Sequence, residues 1–406
     1  MQVFHLSHID LDGYGCQFVA KEFFDSIQFY NANYGKEVMA RLNTIFSQID
    51  AKIAFEEKFH AKEASTFLIL ITDLNLTLSE SKHINERVNS YKISQKDVRL
   101  LLLDHHISGE ECAKAFEWYH LDHTKCATKI TYETLSAMYP KKLESIKLAE
   151  SKVQKPSIAL PYLDQALESS LDSALDSSLE SASKSAPESA CHASLEVLSE
   201  MINSVDIWKE EGYGFEFGKV ALGVIAASSE LNRFMFDREH REYKFFLLEQ
   251  ARWYLTRKKG AVLFDNAVFL LKKQALKGDA QNETMDFITS RIQANLLGAQ
   301  KEQCLITYRD KRGFLSYSMG GISVLANLFL RQNPEVDFYM DINHRGNVSL
   351  RANGNCDVCA LSQEVFNGGG HKNAAGGKME GFRESFFYED IKAQVQNMIN
   401  TKTQSA

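Results

Sequence analysis

The sequence predicts an α/β protein: an N-terminal parallel sheet with helices on both faces, then a smaller C-terminal α/β domain. Three observations point there. Short, nearly all-apolar runs of strand length at residues 3–6, 67–71 and 100–103 alternate with longer stretches of helical spacing. Continuous apolar strands separated by helices mark a parallel sheet buried on both faces. Each of these runs leads into acids or histidines, and ligands of such sheets bind beyond the carboxyl ends of the strands. Finally, a second set of strand-length runs begins near residue 303.

In chain order, the first strand leads into a helix expected over residues 13–30, where Cys16, Val19, Ala20, Phe23 and Phe24 fall near helical spacing. Helices are expected over 36–49 and 78–91, and a strand ending at Leu103 follows. Residues 1–150, completed by 195–230, make the first domain. Between them, residues 156–194 carry a four-residue repeat of leucine, acid and serine, such as Leu171-Asp172-Ser173-Ala174. Its serines oppose a helix interior and its leucines drift around a 3.6-residue helix, so a low-complexity, disordered insertion is expected. Helical character resumes at Leu195 and runs to Asp206. Residues 231–300 read as a helical connector, with no proline between 231 and 299. The last domain, 301–400, has strands expected at 304–308, 337–343 and 347–351, then a helix over 358–366 capped by Asp357.

With 406 residues, 44% of them hydrophobic, the chain is able to bury one or two full cores. A formal net charge of -7 argues against extended non-specific contact with nucleic acid, which needs a basic field. No apolar run approaches the about 20 residues of a membrane helix, and no signal peptide is expected. Seven scattered cysteines read as free thiols in a reducing, cytoplasmic setting. Cys356 and Cys359 form a lone C-x-x-C and read as packing residues, and His120 and His123 as structural.

The chemistry concentrates at three strand ends. Buried carboxylates and imidazoles are costly without a compensating cation, and a pair of divalent metals would supply it. His8, Asp10 and Asp12 alternate, so in an extended strand all three point to one side. Gly13 then permits a turn into a helix. Asp73 stands alone after its strand, suitably placed to bridge two ions. His105 and His106 point oppositely if extended, so one of them is expected to ligate, with Asp104 orienting an imidazole. Carboxylates with a few imidazoles suit Mn²⁺ or Mg²⁺. Near the C-terminus, Gly368-Gly369-Gly370-His371 reads either as a flexible linker or as a backbone nest for an anionic oxygen.

Taken in order, His8-Ile9-Asp10-Leu11-Asp12-Gly13, Asp73, Asp104-His105-His106 and Asp206 resemble the four motifs of the DHH phosphoesterase superfamily. Ser349-Leu350-Arg351, followed by Gly368-Gly369-Gly370-His371-Lys372-Asn373-Ala374-Ala375-Gly376, resembles its C-terminal DHHA1 domain. The Asp-Leu-Asp-Gly form of the first motif is similar to the NrnB-like oligoribonucleases, or nanoRNases. The Cys356-Asp357-Val358-Cys359 stretch departs from the family pattern.

The resemblance implies a DHH domain and a DHHA1 domain with the active-site cleft between them. It implies two divalent ions, Mn²⁺ or Mg²⁺: one on His8, Asp10 and Asp73, the other on Asp12, Asp73, His105 and Asp206. His106, with Asp104, would face the substrate phosphate, and Arg351, His371 and the amides of Gly368, Gly369 and Gly370 would bind a terminal phosphate or sugar. The implied activity is hydrolysis of short oligoribonucleotides or dinucleotides to nucleoside 5′-monophosphates. 3′-Phosphoadenosine 5′-phosphate and cyclic (di)nucleotides are the alternative substrates, and a non-hydrolysing nucleotide sensor is the alternative of another class. Expected partners are short RNA or dinucleotides, with neither long duplex nor membrane, and a homodimer by analogy with the family. A RecJ-type exonuclease is disfavoured because nothing here supplies an added single-strand-binding OB-fold.

Overall fold

A computed structural model describes residues 1–59, 65–152 and 192–404. The serine-rich insertion expected over 156–194 lies outside the described residues, except for 192–194. The chain divides into two compact units, Met1–Ala227 with Phe245–Val268, and Ser228–Lys244 with Phe269–Ala406.

The first unit holds a five-stranded sheet in the order β2-β1-β3-β4-β5. Its strands are β1 (Gln2–Ser7), β2 (Ile27–Asn31), β3 (Phe67–Thr72), β4 (Val98–Asp104) and β5 (Tyr119–Leu121), and every neighbouring pair is parallel. The helices are α1 (Leu11–Phe23), α2 (Lys36–Lys58), α3 (Leu78–Ile93), α4 (Glu110–Ala115), α5 (Ala127–Met138), α6 (Pro140–Glu150), α7 (Leu195–Asp206) and α8 (Phe215–Ala227). One face of the sheet, with Phe4, Leu6, Phe67, Ile69 and Ile71, packs on Val38, Leu42, Ile45 and Ile49 of α2 and on Ile84 and Val88 of α3. Successive strand residues alternate in direction, so the other face is left to α1 and α5, which pack against β1, β3 and β4.

Three expectations are corrected here. The helix expected over 13–30 ends at Phe23, and Ile27–Asn31 is a parallel edge strand paired with Val3–Ser7. Only Asn31 of its five residues is buried, so β2 never shows the continuous apolar run that reveals the central strands. The helix expected over 36–49 runs on to Lys58. And β1 stops at Ser7, so His8, Asp10 and Asp12 do not lie on one extended strand; Asp10 caps α1 and Asp12 sits in its first turn.

Residues 231–299 form three helices, α9 (Asp237–Leu255), α10 (Gly260–Ala275) and α11 (Met285–Ala299), and 245–268 belongs to the first unit. The second unit carries a six-stranded mixed sheet in the order β10-β11-β9-β8-β7-β6. Its strands are β6 (Leu305–Tyr308), β7 (Lys311–Tyr317), β8 (Phe338–Ile342), β9 (Asn347–Ala352), β10 (Gly369–His371) and β11 (Ala374–Lys378). Its later helices are α12 (Ser323–Gln332), α13 (Val358–Phe366) and α14 (Tyr388–Gln404). Only β7 and β8 run parallel. Helix α13 spans the expected residues, and Asp357 caps it by accepting from the Ala360 amide at 3.0 Å. Strand β7 and helix α12 were not anticipated.

Candidate metal centre

The site is assembled by the turns that follow β1, β3 and β4, joined by the last residue of α7. After Ser7 the chain folds back so tightly that a Cβ on Gly13 would lie 2.3 Å from the His8 carbonyl oxygen; only glycine fits. The Ser7 hydroxyl ties this turn down by donating to the Gly13 carbonyl at 2.9 Å. Asp10 accepts from the Gly13 amide at 2.9 Å as the helix cap. Asp12, almost wholly buried, accepts from the amides of Ala127 at 2.7 Å and Thr128 at 2.8 Å, the first turn of α5. That helix end favours negative charge.

Asp73 directly follows β3 with a left-handed backbone, φ +54°. This region is uncommon for any residue but glycine and is the kind of strain that functional sites retain. Its two carboxylate oxygens address two different histidines. Asp73 Oδ2 lies 3.7 Å from His8 Nδ1, and Asp73 Oδ1 lies 3.4 Å from His105 Nε2. His8 Nδ1 is also 2.9 Å from Asp10 Oδ2. His105 Nε2 lies 3.7 Å from Asp12 Oδ2 and 3.6 Å from Asp206 Oδ2. Three donor groups result among the described residues, each with donor atoms within 4.8 Å of one another: His8 with Asp10 and Asp73, Asp12 with His105 and Asp206, and Asp73 with Asp104, His105 and His106.

Electrostatics sets the same residues apart. Burial, reinforced by the charges of Asp12 and Asp10, pushes the Asp73 carboxyl far above its ordinary range. Asp206 is pushed up to about 9 by burial and by the same two charges. Burial also opposes ionisation of Asp10, but the neighbouring His8 and the Gly13 amide outweigh it and hold its pKa at about 2. Asp73 Oδ2 and Asp206 Oδ2 are buried with no hydrogen-bond partner, an arrangement that is costly unless something else compensates it. Four converging carboxylates would balance the charge of two divalent cations. Oxygen and imidazole donors suit hard ions such as Mn²⁺ or Mg²⁺, and the three donor groups found among the described residues contain no cysteine. The residues fit a dinuclear centre.

His106 lies beside this pair, in the third donor group with Asp73, Asp104 and His105. Its Nδ1 is 2.7 Å from Asp104 Oδ1, and the other oxygen of that fully buried carboxylate accepts from the Tyr119 hydroxyl at 3.0 Å. The Asp104 contact raises the His106 pKa although burial works against it. Sequence reasoning missed one residue here. The Tyr34 hydroxyl lies 2.9 Å from His106 Nε2, and its ring stands 4.3 Å from that of His8. Its only signal was positional, at the carboxyl end of β2, and that strand went unrecognised.

In the second unit, Arg351 donates to the Leu350 carbonyl at 2.8 Å and to the Ser323 hydroxyl at 2.9 Å. With Ser323, Asn327, Asn353 and Asn373 it lines an open cavity of about 450 Å³. The glycine run is part of the second sheet and not a linker. Gly369, Gly370 and His371 form the edge strand β10, paired with β11, and the Gly368 amide is engaged by the Ser362 carbonyl at 3.0 Å. Gly370, at φ +145°, is required because a Cβ there would meet the Ala374 carbonyl oxygen at 2.5 Å. His371 is exposed on this strand, and Cys356 is buried while Cys359 is half-buried. His120 and His123 are exposed and belong to none of the three donor groups.

No protein-family model matches the chain. A 3′,5′-cyclic-nucleotide phosphodiesterase from Helicobacter pylori (strain ATCC 700392 / 26695) is 51% identical over 400 residues, covering 98% of this chain and 99% of that protein. The chain belongs to this phosphodiesterase family. The crystal structure of a protein from Helicobacter pylori G27 superposes with a TM-score of 0.78 at 50% identity, covering 98% of this chain and 99% of that one. As a phosphodiesterase the protein is a hydrolase. Among its described residues no helix is long and apolar enough to cross a membrane.

Proposed function

We propose that this phosphodiesterase hydrolyses the 3′,5′-phosphodiester of a cyclic nucleotide at a dinuclear metal centre and releases a nucleoside 5′-monophosphate. Water adds across the P–O3′ bond: its oxygen joins phosphorus, and O3′ leaves carrying a proton. His8, Asp10 and Asp73 would hold one ion and Asp12, Asp73, His105 and Asp206 the other. Bound there, two divalent ions supply a nucleophile at neutral pH and stabilise the developing charge on the phosphate. The protein contributes fixed geometry: Asp12 anchored on two helix amides, Asp10 on one, and Asp73 held by its strained turn.

The observation that carries this reading is the divided carboxylate of Asp73, whose oxygens face His8 and His105 separately. A cyclic substrate is favoured over the oligoribonucleotides that the Asp-Leu-Asp-Gly motif brought forward by the near full-length relationship to a cyclic-nucleotide phosphodiesterase. Short linear dinucleotides are the second reading, favoured by that motif, and call on the same bond cleavage.

The test is a substrate panel of 3′,5′-cyclic AMP and GMP, linear dinucleotides, short RNA and 3′-phosphoadenosine 5′-phosphate, with Mn²⁺ and with Mg²⁺. The expected outcome is turnover of a cyclic nucleotide to its 5′-monophosphate, lost in Asp73→Asn. Turnover confined to linear substrates would move the assignment to the second reading. Wild-type activity in Asp73→Asn would overturn the dinuclear reading.

A further inference from the structure

Both ring nitrogens of His106 are already engaged. Nδ1 meets Asp104 at 2.7 Å and Nε2 meets the Tyr34 hydroxyl at 2.9 Å. Each imidazole nitrogen makes one hydrogen bond in the ring plane, so the imidazole has none left for a substrate. The phenol does: a hydroxyl has one hydrogen and two lone pairs, and His106 takes a single one of these positions. Tyr34 is also 43% exposed while its ring lies over His8, one of the proposed metal ligands.

The loop that carries Tyr34 is pinned. Ala32 donates to the Ser7 carbonyl at 3.0 Å, Asn33 donates through its amide to the buried Glu37 carboxylate at 2.9 Å, and Glu37 is held in turn by Arg41 at 3.2 Å. The Tyr34 amide donates to the Asn33 side chain at 2.9 Å. A lid meant to swing aside would not be anchored on a buried carboxylate at its base. This arrangement holds a phenol at a fixed position beside the metal centre.

We propose that the Tyr34 hydroxyl, rather than the His106 imidazole, is the group of this arm that hydrogen-bonds the nucleotide substrate, with Asp104 and His106 positioning it from behind. The inference rests on the phosphodiesterase reading above. Tyr119, Asp104, His106 and Tyr34 then form one hydrogen-bonded line from the buried end of β5 to the surface. Its members act as a unit, so their deletions should not add.

Two measurements test it. The first compares Tyr34→Phe, His106→Asn and the double variant for kcat and KM, with Mn²⁺ affinity as a check that the centre remains intact. Each single variant is expected to lose about 10- to 100-fold in kcat/KM, the worth of one hydrogen bond to a charged group, and the double variant no more than the worse single. Tyr34→Phe at wild-type kcat/KM beside a crippled His106→Asn would overturn the proposal. The second needs no turnover: ¹⁵N NMR of His106 in the Mg²⁺-loaded protein titrated with a nucleoside 5′-monophosphate. The Nε2 resonance should keep its Tyr34-bonded position as nucleotide saturates the site, and displacement of that resonance would show His106 itself taking the ligand. A wild type that binds the monophosphate with Nε2 unmoved yet hydrolyses no phosphodiester would count against the functional reading and leave the Tyr34 contact standing.

Discussion

Asp12 and Thr128 are joined twice. The Thr128 amide donates to Asp12 Oδ1 at 2.8 Å, and the Thr128 hydroxyl donates to the Asp12 main-chain carbonyl at 2.7 Å. One residue of α5 thus secures both the carboxylate and the backbone of an acid in the first turn of α1. Thr128→Val keeps the shape and the amide but removes the hydroxyl and with it the second hydrogen bond to the Asp12 carbonyl. The expected loss is about 1–2 kcal/mol in chemical denaturation, with weaker Mn²⁺ binding in calorimetry. Unchanged stability and affinity would show that the amides alone fix Asp12.

The same logic at shorter range applies to Gly13. A methyl group there would sit 2.3 Å from the His8 carbonyl oxygen, which is main chain and has no rotamer to yield. Gly13→Ala is expected to cost about 1–3 kcal/mol, as overpacking does, and to shift His8 away from Asp10 enough to abolish high-affinity Mn²⁺ binding. Near-native metal affinity in this variant would contradict the role given to the turn.

Metal removal should leave a pH signature. The Asp206 pKa is raised from 3.8 to about 9, and Asp73 is raised as well, with burial the first cause in both. The folded metal-free protein therefore keeps protons that the unfolded chain releases. By linkage, the stability these two carboxyls contribute is fully present below the ordinary carboxylate pKa and is lost as pH rises through the window from about 4 to 9. Divalent ions displace those protons, so the rise in Tm on adding Mn²⁺ should be larger at pH 8 than at pH 6. A metal-dependent rise in Tm that shrinks with pH would contradict the crowding of carboxylates described here.

Much of this was legible in the sequence, for identifiable reasons. The central strands β1, β3 and β4 are buried on both faces and show as continuous apolar runs, and α13 carries a clear start in Asp357. The strand-end acids and histidines were legible because such residues rarely follow strands of that kind. What escaped lies where side-chain pattern is weak. Strand β2 is an edge with four of its five residues only partly covered or exposed, and β10 is made largely of glycine, which has no side chain to alternate. The alternation of His8, Asp10 and Asp12 suggested a shared strand face, whereas a tight turn brings His8 and Asp10 together and places Asp12 within the neighbouring donor group. Tyr34 was hidden for a related reason: a tyrosine in an unassigned loop has no local mark of its use, and its contacts with His8 and His106 join residues 26 and 72 positions away.

The most direct test of the central claim is anomalous diffraction at the manganese edge from crystals of the Mn²⁺-loaded protein. Two peaks about 3.5–4 Å apart, one beside His8 and Asp10, the other beside His105, Asp12 and Asp206, with Asp73 reaching both, are the predicted result. A single peak, or ions held elsewhere with Asp73 contacting neither, would contradict it.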